Sequence, residues 1–309
     1  MKKSIPEDSH VYIFGRTKVE TTHLSKIYFP EDHISKGDVI EYYISMSKYL
    51  LPYLKGRPES LLRHPNGIHG QGFFQKDAAG IIPSYAGSKV IYSESSRKDV
   101  EYILCNNAAT LTYLNNLGCI ELNPWHSTAD RPDAPDYLVI DIDPSSGNTF
   151  EDVIEAAIAV KETLQRAGAS SFCKTSGATG MHVYVPTHRK YSYEQAKDFA
   201  HVVCMIVADQ MKSTTTLERN LEKRSSKKIY MDYLQNSRGQ TIACAYSLRP
   251  RAGATVSTPL LWKEVRKGLD PADFNIHSIG KRVAKQGDLF ADVLGKGINL
   301  NDCLKKLGA

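Results

Sequence analysis

The residues of this chain with the clearest capacity for chemistry are two aspartates two positions apart. Asp141 and Asp143 close the apolar, β-branched run 137–142, and Pro144 ends it. Residues two apart in a strand project from one face, so the carboxylates repel each other by roughly a few kcal/mol at intermediate dielectric. A divalent cation removes that cost, and oxygen ligands suit Mg²⁺ or Mn²⁺.

Asp232 is the natural third ligand. It is a charged residue within the apolar segment 229–234, which otherwise has the composition of a buried strand. Two metal ions about 4 Å apart, bridged by such carboxylates, activate a 3′-hydroxyl and neutralise a leaving pyrophosphate. The pattern has alternatives, because an isolated Asp-x-Asp is common in loops and caps. The run 139–145 also approaches the phosphatase signature of the haloacid dehalogenase type, with Asp141 as nucleophile.

Two segments could hold phosphate groups. In the turn 176–182, two glycines precede a strand, so backbone N–H groups and Ser176 could face an anion, with His182 pointing toward it. Arg249 and Arg251 follow an expected strand at 241–246, and their period-two spacing places them on one face, which suits bidentate recognition of a triphosphate. The alternatives are an ordinary hairpin turn with a hydrogen-bonded histidine and a solvated strand edge.

Basic and aromatic residues near the N-terminus predict a DNA-binding surface. Lys26 and Lys36 bracket a loop before a helix that begins near Gly37, so free backbone N–H groups and two ammonium groups could converge on one phosphate. Arg63 ends an expected strand. Two phenylalanines precede a cation, in the order Phe73, Phe74, Gln75, Lys76. Aromatic rings can stack on a base while the cations hold phosphates, but packing of one or both phenylalanines in the core is an equal alternative.

The pattern of elements predicts an α/β or α+β sheet with helices on one side. Apolar periodicity and capping residues predict helices over 36–54, from Asn148 or Thr149 to 167, over 193–210 and over 98–117, the last closed by Gly118. Strands are expected at 11–14, 60–63, 90–91, 120–122, 137–142, 171–174, 181–185, 229–234 and 241–246. The strand at 137–142 thus carries Asp141 to its end.

The amino-acid composition restricts the class of protein only broadly. The 309 residues are 41% hydrophobic and 24% charged, which predicts a globular chain, and the net charge of +5 permits a polyanionic partner without requiring one. The six cysteines form no CxxC pair, so we expect buried thiols in a reducing compartment. No signal-like start and no long apolar run are present, so the expected location is cytoplasmic, with no membrane partner.

With these motifs in order, the chain resembles the polymerase domain of bacterial ligase D and its stand-alone archaeal relatives, in the archaeo-eukaryotic primase superfamily. The resemblance runs from about residue 18 to 269. Its segments are 24–30, 36–43, 72–76, 120–125, 141–144, 176–182, 232–236 and 246–259.

The resemblance implies a primase-polymerase fold of two closely packed lobes around a mixed sheet carrying the metal site. It implies a single catalytic domain over 10–295, with a DNA-end-binding part at about 10–130, a metal and nucleotide part at about 131–270, and a C-terminal tail at 296–309. The implied activity is template-directed nucleotidyl transfer that fills gaps and extends 3′ ends in non-homologous end joining, with ribonucleotides favoured and Mn²⁺ or Mg²⁺ as cofactor.

The resemblance also assigns residues and partners. Asp141, Asp143 and Asp232 match the metal triad. The expected contacts of the incoming nucleotide are Ser176, His182, Gln235, Arg249 and Arg251. Lys26 and Lys36 match lysines that bind a recessed 5′-phosphate, and Phe73 and Phe74 match an aromatic pair near the template. Expected partners are DNA ends with a recessed 5′-phosphate, NTP or dNTP, a separate DNA ligase and the Ku end-binding protein.

Two positions depart from the family pattern. Thr179 stands where many relatives have a lysine in the phosphate turn, and Asn123 stands where many have a histidine before Pro-Trp. Each change removes an expected phosphate contact. Two other functions stay open from the sequence, a phosphatase that uses Asp141 and a non-catalytic protein that bridges DNA ends.

Overall fold

The chain folds into two compact units, each assembled from separate stretches of sequence. The computed structural model describes residues 8–94 and 96–308. The first unit runs up to Trp125 and adds Thr241–Val256 and Ala272–Lys285. The second unit comprises His126–Gln240, Ser257–Pro271 and the chain from Gln286 onward. The return of residues 241–256 to the first unit was not expected from the sequence.

The long helices are closed at their N-termini by side-chain caps. Ser35 and Asp38 form a capping box at the first helix, and Thr149 with Asp152 and Ser192 with Gln195 do the same at the two longest helices of the second unit. The helices of the described residues are α1 Lys36–Leu54, α2 Ala108–Asn116, α3 Phe150–Arg166, α4 Tyr193–Gln210, α5 Ile279–Gln286 and α6 Leu300–Leu307. Within the described ranges, none is long and apolar enough to cross a membrane. The expected tail at 296–309 contains α6.

The first unit is built from short antiparallel strands packed beside α1 and α2. Its strands are β1 His10–Phe14, β2 Thr17–Thr21, β3 Ile27–Phe29, β4 Ile34–Ser35, β5 Glu59–Arg63, β6 Phe73–Gln75, β7 Gly87–Ser93, β8 Lys98–Leu104 and β9 Cys119–Pro124. Three of them form a sheet in the order β6-β5-β9, and the others pair as β1-β2, β3-β4 and β7-β8. Every residue of β9 is buried, so this strand lies in the core of the unit.

The helix predicted over residues 98–117 is wrong in its first half. Residues 98–104 form β8, which pairs with β7 from Gly87–Leu104 to Ser93–Lys98. Val100 and Tyr102 alternate into a buried cluster with Trp125, and this tertiary contact outweighs the local helical pattern. The helix begins at Ala108, capped by Asn107, and Gly118 follows its end at φ 88°, as expected for a C′ glycine.

The strand predicted at 241–246 is also wrong. Thr241 makes an isolated bridge with Trp125, and the chain then turns, with the Ser247 amide donating to the Cys244 carbonyl. Tyr246 has φ 67°, in the left-handed region, which interrupts an extended conformation. Arg249 therefore does not continue a regular strand.

The second unit contains one mixed sheet covered by two helices. Its strands are β10 Tyr137–Asp143, β11 Phe172–Thr175, β12 Met181–Pro186, β13 Thr215–Thr216, β14 Ile229–Asp232 and β15 Pro259–Leu260, in the order β13-β14-β10-β12-β11-β15. Only the β13-β14 pair is parallel. Helices α3 and α4 contact β10 and also each other, so they cover the same face. The mixed α/β architecture predicted from the sequence is confirmed, and all six cysteines are buried as free thiols.

Candidate active site

Four charged or polar side chains form a row across four adjacent strands of the second unit. Asp232 on β14 lies opposite Asp141 on β10, Asp141 lies opposite His182 on β12, and His182 lies opposite Lys174 on β11. Directly opposed residues of antiparallel strands project from the same face with Cβ atoms about 5 Å apart. Strand register therefore places two carboxylates, an imidazole and an ammonium group side by side.

The carboxylates at the ends of β10 and β14 differ in their surroundings. Burial raises the pKa of Asp232 above its ordinary value, although the Leu234 amide and the Tyr230 hydroxyl both donate to its Oδ1 and oppose that rise. Asp143 is half-exposed and lies opposite Tyr230. Among the described residues, no group of three or more His, Cys, Asp or Glu side chains is gathered closely enough to hold a metal ion. The metal triad stays a prediction.

Arg224 supplies a positive charge at this end of the sheet. Its Nη1 lies 3.6 Å from Asp143 Oδ2, and its guanidinium stacks over the Tyr230 ring at 4.4 Å. Nε and Nη2 donate to the carbonyl groups of Glu218 and Arg219. The loop that follows β13 thus brings a cation to a carboxylate that the sequence assigns to metal binding.

His182 joins the carboxylates to a buried lysine. Its Nε2 lies 3.4 Å from Asp141 Oδ1, and its Nδ1 lies 2.7 Å from Lys174 Nζ. The lysine also donates to Ser257 Oγ at 2.6 Å. The predicted role of His182 at an anion is untested, but the structure places it beside Asp141.

The turn between β11 and β12 is organised by Ser176. Its Oγ accepts hydrogen bonds from the amides of Ala178 and Gly180 at 3.0 and 3.1 Å. Two amides that we expected to face a phosphate are therefore directed to this hydroxyl oxygen. Thr179 is the exposed residue of the turn, at the position where many relatives carry a lysine.

Gln235 borders a small polar cavity next to Asp232. The cavity has a volume of about 100 Å³ and is lined by Arg219, Asp232, Leu234, Gln235, Ser237 and Gln240. Gln235 lies in a 3₁₀ turn, Leu234–Asn236, which Asn236 ties to β10 through hydrogen bonds with Val139 N and O. The position fits the predicted nucleotide contact without testing it.

Arg249 and Arg251 belong to the first unit and differ in exposure and in their contacts. Arg249 Nε pairs with Glu121 Oε2 on β9 at 2.9 Å, and the Glu121 side chain is 4% exposed. Arg251 is exposed, and its amide donates to the Arg249 carbonyl in a tight turn. The expectation that the two share one face of a strand fails because no strand forms there.

The two lysines predicted at a 5′-phosphate are close in the backbone but unlike in exposure. Lys26 is exposed, and its Nζ donates to Asn66 Oδ1 at 2.6 Å. Lys36 is 4% exposed, and its Nζ donates to Thr22 O and Asn116 Oδ1, both at 2.7 Å. Burial, followed by the charge of Lys26, lowers the pKa of Lys36 to about 8.

The expectation of unbonded amides at the start of α1 is wrong. The Lys36 and Gly37 amides donate to the carbonyl groups of Lys26 and Leu24. The Asp38 amide donates to the Ser35 side chain. These bonds satisfy the amides that a helix N-terminus would otherwise offer to an anion. A phosphate at this position would be held by side chains.

An aromatic and basic face lies on β6 at the edge of its sheet. Phe73 and Phe74 are 44% and 60% exposed, so neither ring is packed in the core. Arg63 stacks over the Phe73 ring at 5.2 Å and donates to the Leu117 carbonyl and to Gln75 Oε1. Lys76 is exposed beside them. Arg63 thus stacks on the ring that the family resemblance places near the template.

Sequence reasoning missed three charged residues that the structure places at or near the assigned groups. Lys174 and Glu121 are charges within buried strands, the same signal that singled out Asp232. That signal could have found them. Arg224 lies in the strongly charged stretch 217–228, where one arginine gives no distinguishing pattern.

Comparison with known proteins identifies relatives over most of the chain. The family model for the LigD primase-polymerase domain matches residues 35–290. The bifunctional non-homologous end joining protein LigD of Bacillus subtilis is 35% identical over 277 residues, covering 89% of this chain and 44% of that protein. The multifunctional LigD of Pseudomonas aeruginosa is 30% identical over 291 residues, covering 93% and 34%.

A solved structure agrees with the sequence relatives. The polymerase domain from Mycobacterium tuberculosis ligase D in complex with DNA matches with a TM-score of 0.84 and 26% identity, covering 92% of this chain and 100% of that chain. The chain spans less than half the length of the two curated relatives. Because the family model matches well over half of it, the chain belongs to the LigD primase-polymerase domain family, a family of metal-dependent nucleotidyltransferases.

Proposed function

We propose that this chain is a template-directed polymerase that fills gaps and extends 3′ ends at DNA double-strand breaks during non-homologous end joining, with ribonucleotides favoured. The observation that carries the proposal is the register of β14, β10 and β12, which aligns Asp232, Asp141 and His182. The similarity to a ligase D polymerase domain in complex with DNA supports the substrate class.

The side chains at the ends of β10 and β14 are of the type that binds a hard divalent cation. Asp141, Asp143 and Asp232 would hold it, because carboxylate oxygens are the ligands that Mg²⁺ and Mn²⁺ prefer. Bound there, two such ions would neutralise the developing charge of phosphoryl transfer. Arg224 already offsets the charge of Asp143, and His182 and Lys174 extend the polar row away from the carboxylates.

Separate sets of side chains are assigned to the nucleotide and to the DNA end. The nucleotide is assigned to Ser176, His182, Gln235, Arg249 and Arg251. The DNA end is assigned to first-unit residues that combine cations and aromatic rings, namely Lys26, Lys36, Arg63, Phe73, Phe74 and Lys76. A DNA ligase and a Ku protein are the proposed partners.

Primer extension on a gapped duplex with a recessed 5′-phosphate tests this function. We expect NTP incorporation directed by the template, with one pyrophosphate released per nucleotide, in the presence of Mn²⁺ or Mg²⁺. Asp232→Asn should lower incorporation by at least a hundredfold, because a ligand is lost without loss of shape. Asp209→Asn, which removes an exposed carboxylate of α4, is the matched control and should extend normally.

Other outcomes separate the alternatives. Release of inorganic phosphate from nucleoside triphosphates, lost in Asp141→Asn, would indicate a phosphatase. Bridging of DNA ends with no incorporation under any metal would indicate a structural role. Full extension by Asp232→Asn would contradict the carboxylate assignment.

A further inference from the structure

Lys174 is a fully buried lysine that the proposed reaction does not use directly. It is 0% exposed and lies on β11 opposite His182. Its Nζ is 2.7 Å from His182 Nδ1, 2.6 Å from Ser257 Oγ and 5.6 Å from the centre of the Tyr184 ring. Burying an ammonium group is costly unless hydrogen bonds compensate, so the role of Lys174 is to be read from these hydrogen-bond partners.

The directions of the hydrogen bonds around Lys174 follow from Ser257. The Ser257 hydroxyl donates its one proton to the Thr175 carbonyl at 3.0 Å. Its oxygen therefore accepts from Lys174. In its protonated form, the Lys174 amine has three donors and no acceptor, so it donates to His182 as well, and Nδ1 of that imidazole accepts.

We propose that Lys174 is a positioning residue that fixes His182 as the tautomer carrying its proton on Nε2. In a neutral imidazole, the nitrogen that accepts has no proton, and the other nitrogen carries it. Nε2 is the nitrogen that lies 3.4 Å from Asp141 Oδ1. Lys174 thus makes His182 an N–H donor on the side of the carboxylates. Resting on the proposed function, this donor serves the incoming triphosphate.

The register of the sheet explains why a lysine can do this. The Lys174 and His182 side chains project from the same face of adjacent strands, and His182 stands between Lys174 and Asp141 in the row. The lysine therefore reaches one ring nitrogen while the other ring nitrogen is directed to the carboxylate. Without the ammonium group, either tautomer could form, and the ring could present a bare nitrogen to an anion.

The tautomer can be measured in the protein without nucleotide, DNA or metal. Nitrogen NMR of histidine-labelled protein at about pH 8, where an ordinary imidazole is neutral, distinguishes a protonated ring nitrogen from a bare one. His182→Gln identifies the resonances of His182. We expect a proton on Nε2 and none on Nδ1 in the parent, and a mixture of tautomers in Lys174→Met. A proton on Nδ1 of the parent, alone or together with one on Nε2, overturns the proposal.

Kinetics then test whether the lysine acts through the histidine. Lys174→Met should raise the KM for NTP by roughly tenfold, the usual effect of one lost hydrogen bond, and should change kcat much less. Added to His182→Gln, it should change KM by less than about twofold, because its partner is already absent. Independent, multiplying effects would show that Lys174 only supports packing.

The chain offers a matched control and a second variant. Lys161 also lies 5.6 Å from an aromatic ring, that of Trp262, but it belongs to α3 and not to the strands that carry the row, so Lys161→Met should keep both the tautomer and KM. If Lys174→Met does not fold, Lys174→Gln replaces it, since a neutral amide can donate to Nδ1 or accept from it and so no longer fixes the proton. The NMR result stands if the parent incorporates no nucleotide, so failure of the proposed function and failure of this inference are distinguishable.

Discussion

Lys36 combines a buried position with a role predicted at a DNA end. Its pKa is lowered to about 8, whereas the ordinary value is about 10.4, so the folded chain releases this proton earlier than the unfolded chain. Between these values the unfolded state binds more protons, and the contribution of Lys36 to stability becomes more favourable as pH rises. Its attraction for a phosphate changes in the opposite direction, because the charge is lost over the same range.

We therefore expect the preference for 5′-phosphorylated over 5′-hydroxyl gapped DNA to fall between about pH 7 and 9.5. Fluorescence anisotropy with the two DNAs measures it. In Lys36→Met the preference should be smaller by several-fold and nearly independent of pH over this range. A preference that is equal in the parent and in Lys36→Met at both pH values would show that Lys36 only stabilises the loop through Thr22 and Asn116.

Thr179 provides a test of where the phosphate turn points. The side chain is exposed, so a lysine can be placed there without a clash in the core. Thr179→Lys should lower the KM for NTP by about fivefold, because an added cation near a triphosphate contributes on the order of 1 kcal/mol. Ser213→Lys, at an exposed site of the same unit, adds the same charge elsewhere and controls for net charge. An unchanged or raised KM in Thr179→Lys contradicts the assignment of this turn.

At the scale of elements, local signals predicted the three longest helices well, whereas α5 and α6 were not predicted. The bounds of α1 and α4 agree with the sequence prediction, because each begins at a serine cap and carries a continuous apolar stripe. The helix prediction for residues 98–117 failed in its first half because the apolar residues there are buried by a strand partner that the local sequence does not reveal. The alignment of Asp232 with Asp141 could not be predicted either, since register depends on residues distant in the chain.

Gly180 shows how closely the phosphate turn and β10 are packed. A Cβ atom at this position would lie 2.2 Å from the Ile142 carbonyl oxygen, between the two aspartates of β10. Gly180→Ala must therefore displace either the turn or the strand, at a cost of roughly 1–3 kcal/mol. We expect a lower Tm and a loss of extension larger than the loss of folded protein.

Gly280→Ala is the control for this substitution. Gly280 lies within α5, and an added Cβ there meets nothing within 4 Å. Alanine is the better helix former, so Tm should stay the same or rise slightly, and extension should be unaffected. If Gly180→Ala matches the parent in both Tm and extension, the turn is not coupled to the carboxylates by this contact.

At the scale of the whole molecule, binding and chemistry are assigned to different units. The exposed rings and cations of the DNA end belong to the first unit, and the three aspartates belong to the second. The net charge of +5 is small for 309 residues, so affinity for DNA must come from local groups. Affinity and incorporation should therefore be separable by substitution.

Stacking contacts of aromatic rings with bases and ionic contacts of lysines with phosphates should differ in their response to salt. Phe73→Ala with Phe74→Ala should weaken binding of gapped DNA by about tenfold or more, since stacking contributes roughly 1–3 kcal/mol per base. This pair should leave the slope of log affinity against log salt unchanged, because no phosphate contact is lost. Lys26→Ala with Lys76→Ala should reduce the slope by almost one for each phosphate contact removed.

Two further variants complete the experiment. Ile13→Ala trims an exposed apolar side chain of the same unit, 66% exposed on β1, and should bind DNA as the parent does. Asp232→Asn should bind gapped DNA with the affinity and salt slope of the parent while incorporating no nucleotide, because its carboxylate is assigned to chemistry alone. A loss of DNA binding in Asp232→Asn would contradict the assignment of binding and chemistry to different residues. An altered salt slope in the phenylalanine pair would contradict the assignment of the rings to stacking alone, since a change of slope requires the loss of a phosphate contact.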